Sequence, residues 1–452
     1  MKTSQLIFIF SLTFLLLFYG ETPGINLAVL ALLYTCSTYF VAPKLHRTKT
    51  FKFMTFFSIV SGLALAWYGD FSSFLAIVIS VLLLRLFALS TELKPILVLP
   101  VAAWQGISFP YRFFLFNDWL PKANAQKSVQ KIFAVVVIPA ILFLTFFAIY
   151  TYGSDIFAGF LGGISWDFNI YELVGLSFLG FFIAFNFWNV KIESFIFSSN
   201  HHFRDDFVNE DKVAKASFNF LDINLERQSG FVSLLVLNLM LVFFLISFNY
   251  EQFFRGESSP EELSGATHER VNSVILSIVM AILVIMFYFK SNFNFDEKVT
   301  WLRRLAYIWI VLNMLLVLSA ATKNLEYISE LGLTYKRLGV LAFLGLALLG
   351  LSFAFYKIKN RKTNLFLVNK MLWAVYGLVL ACSIVNWGAL ATYYNLKNNK
   401  VDWTYLKSLN FNDHILSKEN PKYKSPDLIY YKTETKQSSF LSKILYYEIY
   451  AQ

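Results

Sequence analysis

Three polar segments interrupt the apolar C-terminal half of this chain, and they hold the residue types best suited to chemistry. In the first, residues 258–270, Ser259-Pro260-Glu261-Glu262 has the composition of a helix start: a capping serine, a proline in the first turn and acids that complement the helix dipole. The segment closes on His268-Glu269-Arg270, where an imidazole that titrates near neutral pH stands beside a Glu–Arg pair, a proton-responsive or anion-binding combination. In the second, residues 326–337, Glu326 and Glu330 lie four apart and share a helix face; Gly332 ends that helix, Thr334 caps the next, and Arg337 enters the following apolar run. The third runs from Asn386-Trp387-Gly388 to Tyr393-Tyr394-Asn395-Leu396. If the three meet, His268, Glu269, Arg270, Glu326, Tyr327, Glu330, Arg337, Asn386, Tyr394 and Asn395 form one polar cluster on the outer face. Such a cluster offers His268 or Glu330 as a general base and Arg337 as a clamp for phosphate or carboxylate. The same side chains can instead lock helix ends together through salt bridges and amide bonds, and that clamp is the expected role.

Elsewhere the signals are weaker. His201-His202-Phe203-Arg204-Asp205-Asp206 supplies metal-compatible donors, but nothing fixes their geometry and the surrounding loop is charged throughout, so a solvated loop is expected and no metal or cofactor. No Walker loop, dinucleotide-binding glycine fingerprint, HExxH, CxxC or GxSxG occurs. Arg85, in Leu82-Leu83-Leu84-Arg85-Leu86, is the strongly basic residue deep in an apolar run, where a charge is a functional candidate by default. Ser90-Thr91-Glu92 follows about two turns on, so snorkelling to the inner surface is the expected behaviour. Asn186, Asn238 and Asn313 read as glue between helices, and Cys36 and Cys382 as packing residues.

The elements that must position these groups are set by composition. With 57% hydrophobic and 15% charged residues over 452 positions, the chain is too apolar for one soluble core, and lipid must be its solvent. Crossing the hydrocarbon layer takes about 20 apolar residues. Candidate runs lie near 5–20, 25–43, 53–68, 72–90, 95–110, 132–152, 171–189, 231–249, 271–289, 305–321, 338–356 and 368–391. Basic loops at 44–52, 111–131, 190–229, 290–304 and 357–362 alternate with loops poor in Lys and Arg, so the net charge of +10 is a topology signal and does not point to nucleic acid. Three runs separate the first two basic loops, one too many for both to share a side. Segment 95–110, with Pro95, Pro100, Pro110, Gln105 and Gly106, is the best candidate for a re-entrant piece.

The expectation is therefore an all-α polytopic bundle of about 11 spans from 12 hydrophobic segments, with a cytoplasmic N-terminus. Residues 1–131 form N-terminal spans, 132–392 the main bundle including the inner loop 190–229, and 393–452 a small extramembrane tail on the outer side. The first run, at 5–20, lacks a cleavage site and is expected to be retained. The tail carries nine Lys and six acidic residues among aromatics such as Trp403, Tyr405, Tyr423, Tyr430, Tyr431, Tyr446 and Tyr447, a composition suited to an interaction surface.

The C-terminal residues resemble a bacterial polytopic membrane family of unknown function, of the domain-of-unknown-function 4173/4153 type. The likeness rests on His268 at a span start, on Tyr327 with Gly332-Leu333-Thr334 and Arg337, and on Asn386, Ala391, Tyr394-Asn395-Leu396, Asp402 and Tyr405-Leu406, over roughly 230–410. Members often place Pro after the asparagine matched by Asn386, where this chain has Trp387. The resemblance implies a bacterial envelope location, with membrane lipids as surroundings, and supplies no substrate. A non-enzymatic assembly, sensor or scaffold subunit with a protein partner at its outer face or tail is the first expectation. A transporter of a small solute or lipid, or an enzyme acting on a lipid-linked envelope substrate, are the alternatives.

Overall fold

Apolar runs bounded by capping residues become helices, and among the described residues there is no strand. The structure is a computed structural model that describes residues 2–91, 93–120, 135, 138–154, 169–193, 203–208, 212, 216, 222–254, 260–434 and 438–450, with 260–271 described by their backbone alone. The N-terminal half contributes α1 (Thr3–Phe18), α2 (Ile25–Val41), α3 (Lys49–Tyr68), α4 (Phe71–Leu89), three short helices α5 (Val98–Ile107), α6 (Phe109–Phe114) and α7 (Phe116–Trp119), then α8 (Ile138–Gly153) and α9 (Ile170–Trp188). The second half supplies α10 (Ile223–Phe253), α11 (Pro260–Tyr288), α12 (Thr300–Leu331), α13 (Tyr335–Lys359) and α14 (Asn364–Ile384). Five small helices make the tail: α15 (Trp387–Lys397), α16 (Trp403–Lys407), α17 (Asp413–Glu419), α18 (Pro426–Glu434) and α19 (Leu445–Tyr450).

Helix starts follow local chemistry. Thr48, Asp70, Asn169, Asp222, Thr334, Thr363 and Asn386 each accept a first-turn backbone N–H of the helix that follows. Gly69, at φ +60°, ends α3 and lets Asp70 open α4 at once, so the two pack as an antiparallel hairpin.

Lys49–Tyr68, Phe71–Leu89, Ile170–Trp188, Ile223–Glu251, Glu297–Leu331, Tyr335–Lys359 and Asn364–Ile384 are long and apolar enough to cross a membrane. Thr3–Phe18, Ile25–Val41 and Asn272–Tyr288 are shorter apolar helices. Outward faces carry Leu239, Phe243, Ile246 and Leu276 more than 60% exposed, which water would penalise and acyl chains accept. The chain is an all-helical, multi-pass membrane protein.

Two helix groups meet at a seam. One apolar core joins α10 to α13, another joins α2, α3 and α4, and α14 serves both: Leu367 belongs to the first, Tyr376 and Leu380 to the second. Tyr376 also shares a 2.8 Å hydrogen bond with Ser80 of α4. α1 packs along α9 through Phe10, Phe14, Phe185 and Trp188.

Segment 95–119 forms a turn at Pro95–Leu97 and then α5, α6 and α7 rather than one long helix, as its prolines require. Before it, Lys94 pairs with Asp205 at 3.8 Å. Farther on, Gln105 and Arg112 hold the carbonyls of Lys191 and Asn189, at the C-terminal end of α9. Arg85, near the end of α4, donates to the Phe187 and Trp188 carbonyls of that same helix end. This is the basic end of the bundle; the tail covers the opposite one, here called the tail end.

Candidate functional site at the tail end

The α12–α13 turn is held from above by the tail. Asn395 is buried with its oxygen accepting the Leu333 N–H at 2.6 Å and its amide donating to the Leu333 carbonyl at 2.9 Å, so one side chain replaces both partners of a backbone residue. Gly332, at φ +84°, has no room for a side chain, since a Cβ there would stand 2.7 Å from Asn395 Oδ1. The Arg337 guanidinium donates to the carbonyls of Leu331, at 3.1 Å, and Gly332, which end α12, and Thr334 caps the helix that Arg337 enters. From below, Asn324 donates to the Arg337 carbonyl at 3.1 Å.

The tail adds further ties. Tyr405 accepts the Tyr335 N–H at 2.7 Å, while Asp402 caps α16. Burial pushes the Tyr405 phenol up, consistent with a neutral hydroxyl that accepts. Asn386 caps α15 and donates to the Phe411 carbonyl at 2.9 Å. Asn412 donates to Thr392 and to the Leu406 carbonyl, both at 2.7 Å, above a small apolar core of Ile328, Leu333, Ala391, Leu406, Leu409 and Leu416, against which Tyr394 packs. The chain then returns to the α1–α2 turn. Ser439 and Ser442 donate to Glu21, Ile25 N–H reaches the Lys443 carbonyl at 2.9 Å, and Tyr446 is buried against Phe411. The two serine hydroxyls hold the Glu21 carboxyl below its usual range.

A cavity of about 600 Å³ lies beneath this cover, walled by Tyr68, Asp70, Tyr335, Cys382, Asn386 and Phe411. Its acid is committed: Asp70 accepts from Ser73 N–H at 3.0 Å and from the Ser73 hydroxyl at 2.5 Å, capping α4. Of the residues singled out in the sequence, Tyr327, Arg337, Asn386, Tyr394 and Asn395 thus gather at this end, with Asn386 alone on the cavity wall. Glu326 instead pairs with Lys323 of its own helix at 3.2 Å, and Glu330 is exposed with no ion pair to Arg337 among the described residues. His268, Glu269 and Arg270 fall within the backbone of α11, and their side chains lie outside the described residues.

At the basic end, Arg85 is only 8% exposed and does not snorkel; its guanidinium caps the end of α9. Asp205 accepts from Asn369 at 2.8 Å and Asp206 pairs with Lys362, tying that loop to the start of α14. His201 and His202 lie outside the described residues, among which no group of three or more His, Cys, Asp or Glu is arranged to hold a metal. Arg112, Lys357 and Glu21 matter structurally yet were not singled out from the sequence, and Gln105 stands out there only as a residue unsuited to a lipid-facing span. Arg112 and Lys357 sit in or beside runs of basic residues where each looks like one topology charge among several. Glu21 finds its serine partners more than 400 positions away, so no local pattern could reveal it.

An all-helical multi-pass bundle with a clasped rim is the class these features define. Within it, residues 27–416 match the model of the family described as Domain of unknown function (DUF4153), and the chain belongs to that family. No curated protein and no solved structure matches it. The match reaches well upstream of the segment whose residues first carried the likeness.

Proposed function

We propose that this chain is a non-enzymatic assembly, sensor or scaffold subunit of a bacterial inner membrane, whose tail is fastened down as a platform for a protein partner. The single observation that supports it is the fate of the motif residues: Asn395, Arg337 and Asn386 each spend their polar atoms on backbone groups of the rim. Groups so committed are poorly placed to bind a substrate or move a proton. On the tail, Ile429 and Tyr430 of α18 and Phe440 stay more than half exposed, the composition of a docking patch. The proposed topology has a cytoplasmic N-terminus, eleven crossings by α1–α4 and α8–α14, segment 95–119 returning to the side it left, and the tail outside. The clustering of Arg and Lys at the end away from the tail supports that orientation.

The test is affinity purification of the full chain in mild detergent, as wild type and with Ile429→Ser and Tyr430→Ser together, with every retained protein and lipid identified. A stoichiometric protein held by wild type and lost by the double variant, with thermal unfolding unchanged, is the expected result. A chain that comes out alone from both preparations would overturn the subunit role.

A further inference from the structure

At the basic end, α4, α5 and α9 enclose a cavity of about 200 Å³ that receives two buried polar side chains with bonding capacity left over. Arg85 donates through Nε and Nη2 to the Phe187 and Trp188 carbonyls, each at 2.9 Å, and its Nη1 has no acceptor among the described residues. Gln105 is 3% exposed; its amide nitrogen donates to the Lys191 carbonyl at 2.7 Å, which fixes the amide's orientation, and its oxygen is buried without a donor. Arg112 stands next to them, its guanidinium donating four hydrogen bonds, to Ser108, Gln105, Asn186 and Asn189. Neither guanidinium has a carboxylate within ion-pair distance among the described residues. The Glu193 carboxylate lies near enough to act on the charge of Arg112, so Arg85 is the cation left over; a buried cation with a free guanidinium N–H beside an orphaned acceptor calls for an anion that also carries a hydrogen-bond donor.

The second observation is what lies alongside. Leu82, Ile183 and Phe187 line this cavity and also a larger one of about 640 Å³ enclosed by α1, α2, α4 and α9, so the two meet at those side chains. The larger one is walled almost wholly by apolar groups such as Phe14, Leu30 and Val78, and from Leu82 to Phe74 it follows α4 for about 12 Å at 1.5 Å per residue. Apolar walls between helices long enough to cross a membrane suit an acyl chain better than water.

We propose that the joined cavities bind one phospholipid. Its phosphate sits on Arg85 Nη1, a headgroup hydroxyl or ammonium donates to Gln105 Oε1, and one acyl chain passes Leu82, Ile183 and Phe187 into the groove. The pairing selects headgroups that carry a donor, phosphatidylglycerol and phosphatidylethanolamine, over phosphatidylcholine, which has none. The polar end of this site is at the opposite end of the bundle from the tail, while the far end of the groove reaches Glu21, which the tail serines hold; the headgroup test rests on Arg85 and Gln105 and does not depend on any partner at the tail.

The experiment uses the delipidated full chain in detergent, titrated with short-chain phosphatidylglycerol, phosphatidylethanolamine or phosphatidylcholine, or with glycerol 3-phosphate, and read by native mass spectrometry and thermal shift. Wild type should hold one phosphatidylglycerol or phosphatidylethanolamine per chain and bind phosphatidylcholine about tenfold or more weakly, as the loss of a buried hydrogen bond in a charged site implies. Leu82→Trp, which plugs the junction and leaves the Arg85 bonds in place, should abolish retention while unfolding at the wild-type temperature without lipid. Gln105→Met should bind but lose the discrimination, and it serves as the readout if Leu82→Trp does not fold. Equal retention of all three lipids by wild type and both variants would mean annular lipid only and overturn the proposal. Stabilisation by glycerol 3-phosphate equal to that by lipid would assign the cavity to a free phosphate ester and overturn the lipid.

Discussion

Replacing Asn395 by leucine keeps the side-chain volume and removes both hydrogen bonds to Leu333, whose N–H and carbonyl have no other partner among the described residues and which is itself 5% exposed. Leaving a buried backbone donor or acceptor unmade costs about 1–3 kcal/mol each, so the rim should lose about 2–5 kcal/mol. At 1.4 kcal/mol per tenfold, the tail should open at least about 30-fold more often. Because a bundle of this size need not unfold in one step, a global melting temperature is a poor gauge, and local opening is the quantity to follow. Amide exchange across 331–337 and 395–412, read by mass spectrometry in detergent, should accelerate by that factor in Asn395→Leu, while exchange at the seam, 370–380, stays as in wild type. Asn395→Asp keeps an acceptor for the Leu333 N–H but sets a carboxylate oxygen against the carbonyl. It should therefore loosen the rim at neutral pH and recover part of the loss in acid, where the protonated carboxyl can donate. Wild-type exchange at both segments in Asn395→Leu would refute the view that this amide clamps the turn.

Gly388→Ala should displace the tail, because the added Cβ would stand 2.0 Å from the Asn410 carbonyl oxygen; faster limited proteolysis at Lys397 and Lys407 is the measurement. The Glu21 carboxyl lies below its ordinary value of 4.5, so its contribution is complete above that pH and is lost as pH falls through the lower folded value. Exchange at 439–450 should rise in that window in wild type and show no such step in Glu21→Gln. His414, stacked on Tyr450 and kept low by burial, favours its neutral form, so the unfolded tail takes up a proton first and tail stability declines from pH 6.5 downward. Neighbouring Asp413, raised by burial, has the opposite sign, its contribution fading as pH rises, and cannot produce that decline; His414→Phe should remove it from exchange at 413–450. Arg112→Leu orphans the Gln105 and Asn189 carbonyls and Asn186 Oδ1 and should cost about 3–5 kcal/mol, seen as a lower unfolding temperature that Arg112→Lys, lacking the planar fork, restores only in part.

Which of these features could be read from the sequence follows from the range of the interactions. Helix class and some helix starts were legible because period, length and capping residues are local: Thr334 and the end at Gly332 stand where the sequence places them, whereas Asn386 caps a new helix inside the run expected at 368–391. The chemistry of the polar segments was not, because Asn395 has the same identity whether it meets a substrate or a backbone carbonyl 62 positions away, and Glu326 and Arg337 the same whether they face a ligand or the Lys323 and helix-end carbonyls they take. Arg85 shows the limit most clearly. Its depth in an apolar run flagged it, and its distance from Ser90 suggested escape to the surface, but its partners are carbonyls about a hundred positions later on a helix whose proximity no local pattern encodes.

The basic end repeats that solution at several helices, which ties topology to folding. An α-helix ends with unpaired carbonyls and a partial negative charge, and a membrane helix cannot leave them to lipid. Here Arg47 reaches the Phe40 and Ala42 carbonyls at the end of α2, His46 the Ala88 carbonyl of α4, Arg85 and Arg112 those of α9, and buried Lys357 that of Phe289 after α11. Apart from the local cap by Arg47, each of these carbonyls is met by a distant segment of the chain, so capping also ties neighbouring helices together. On the topology proposed above, Lys and Arg counted as loop charges would do two jobs at once, biasing the direction of insertion and closing helices that insertion brings together. At the tail end a cation is used in the same way by Arg337 on α12, but the other ties there are amides, hydroxyls and one acid taking serine hydroxyls. A rim closed mostly by neutral hydrogen bonds engages few of the nine Lys of the tail, and a tail so fastened remains free to present its outer surface.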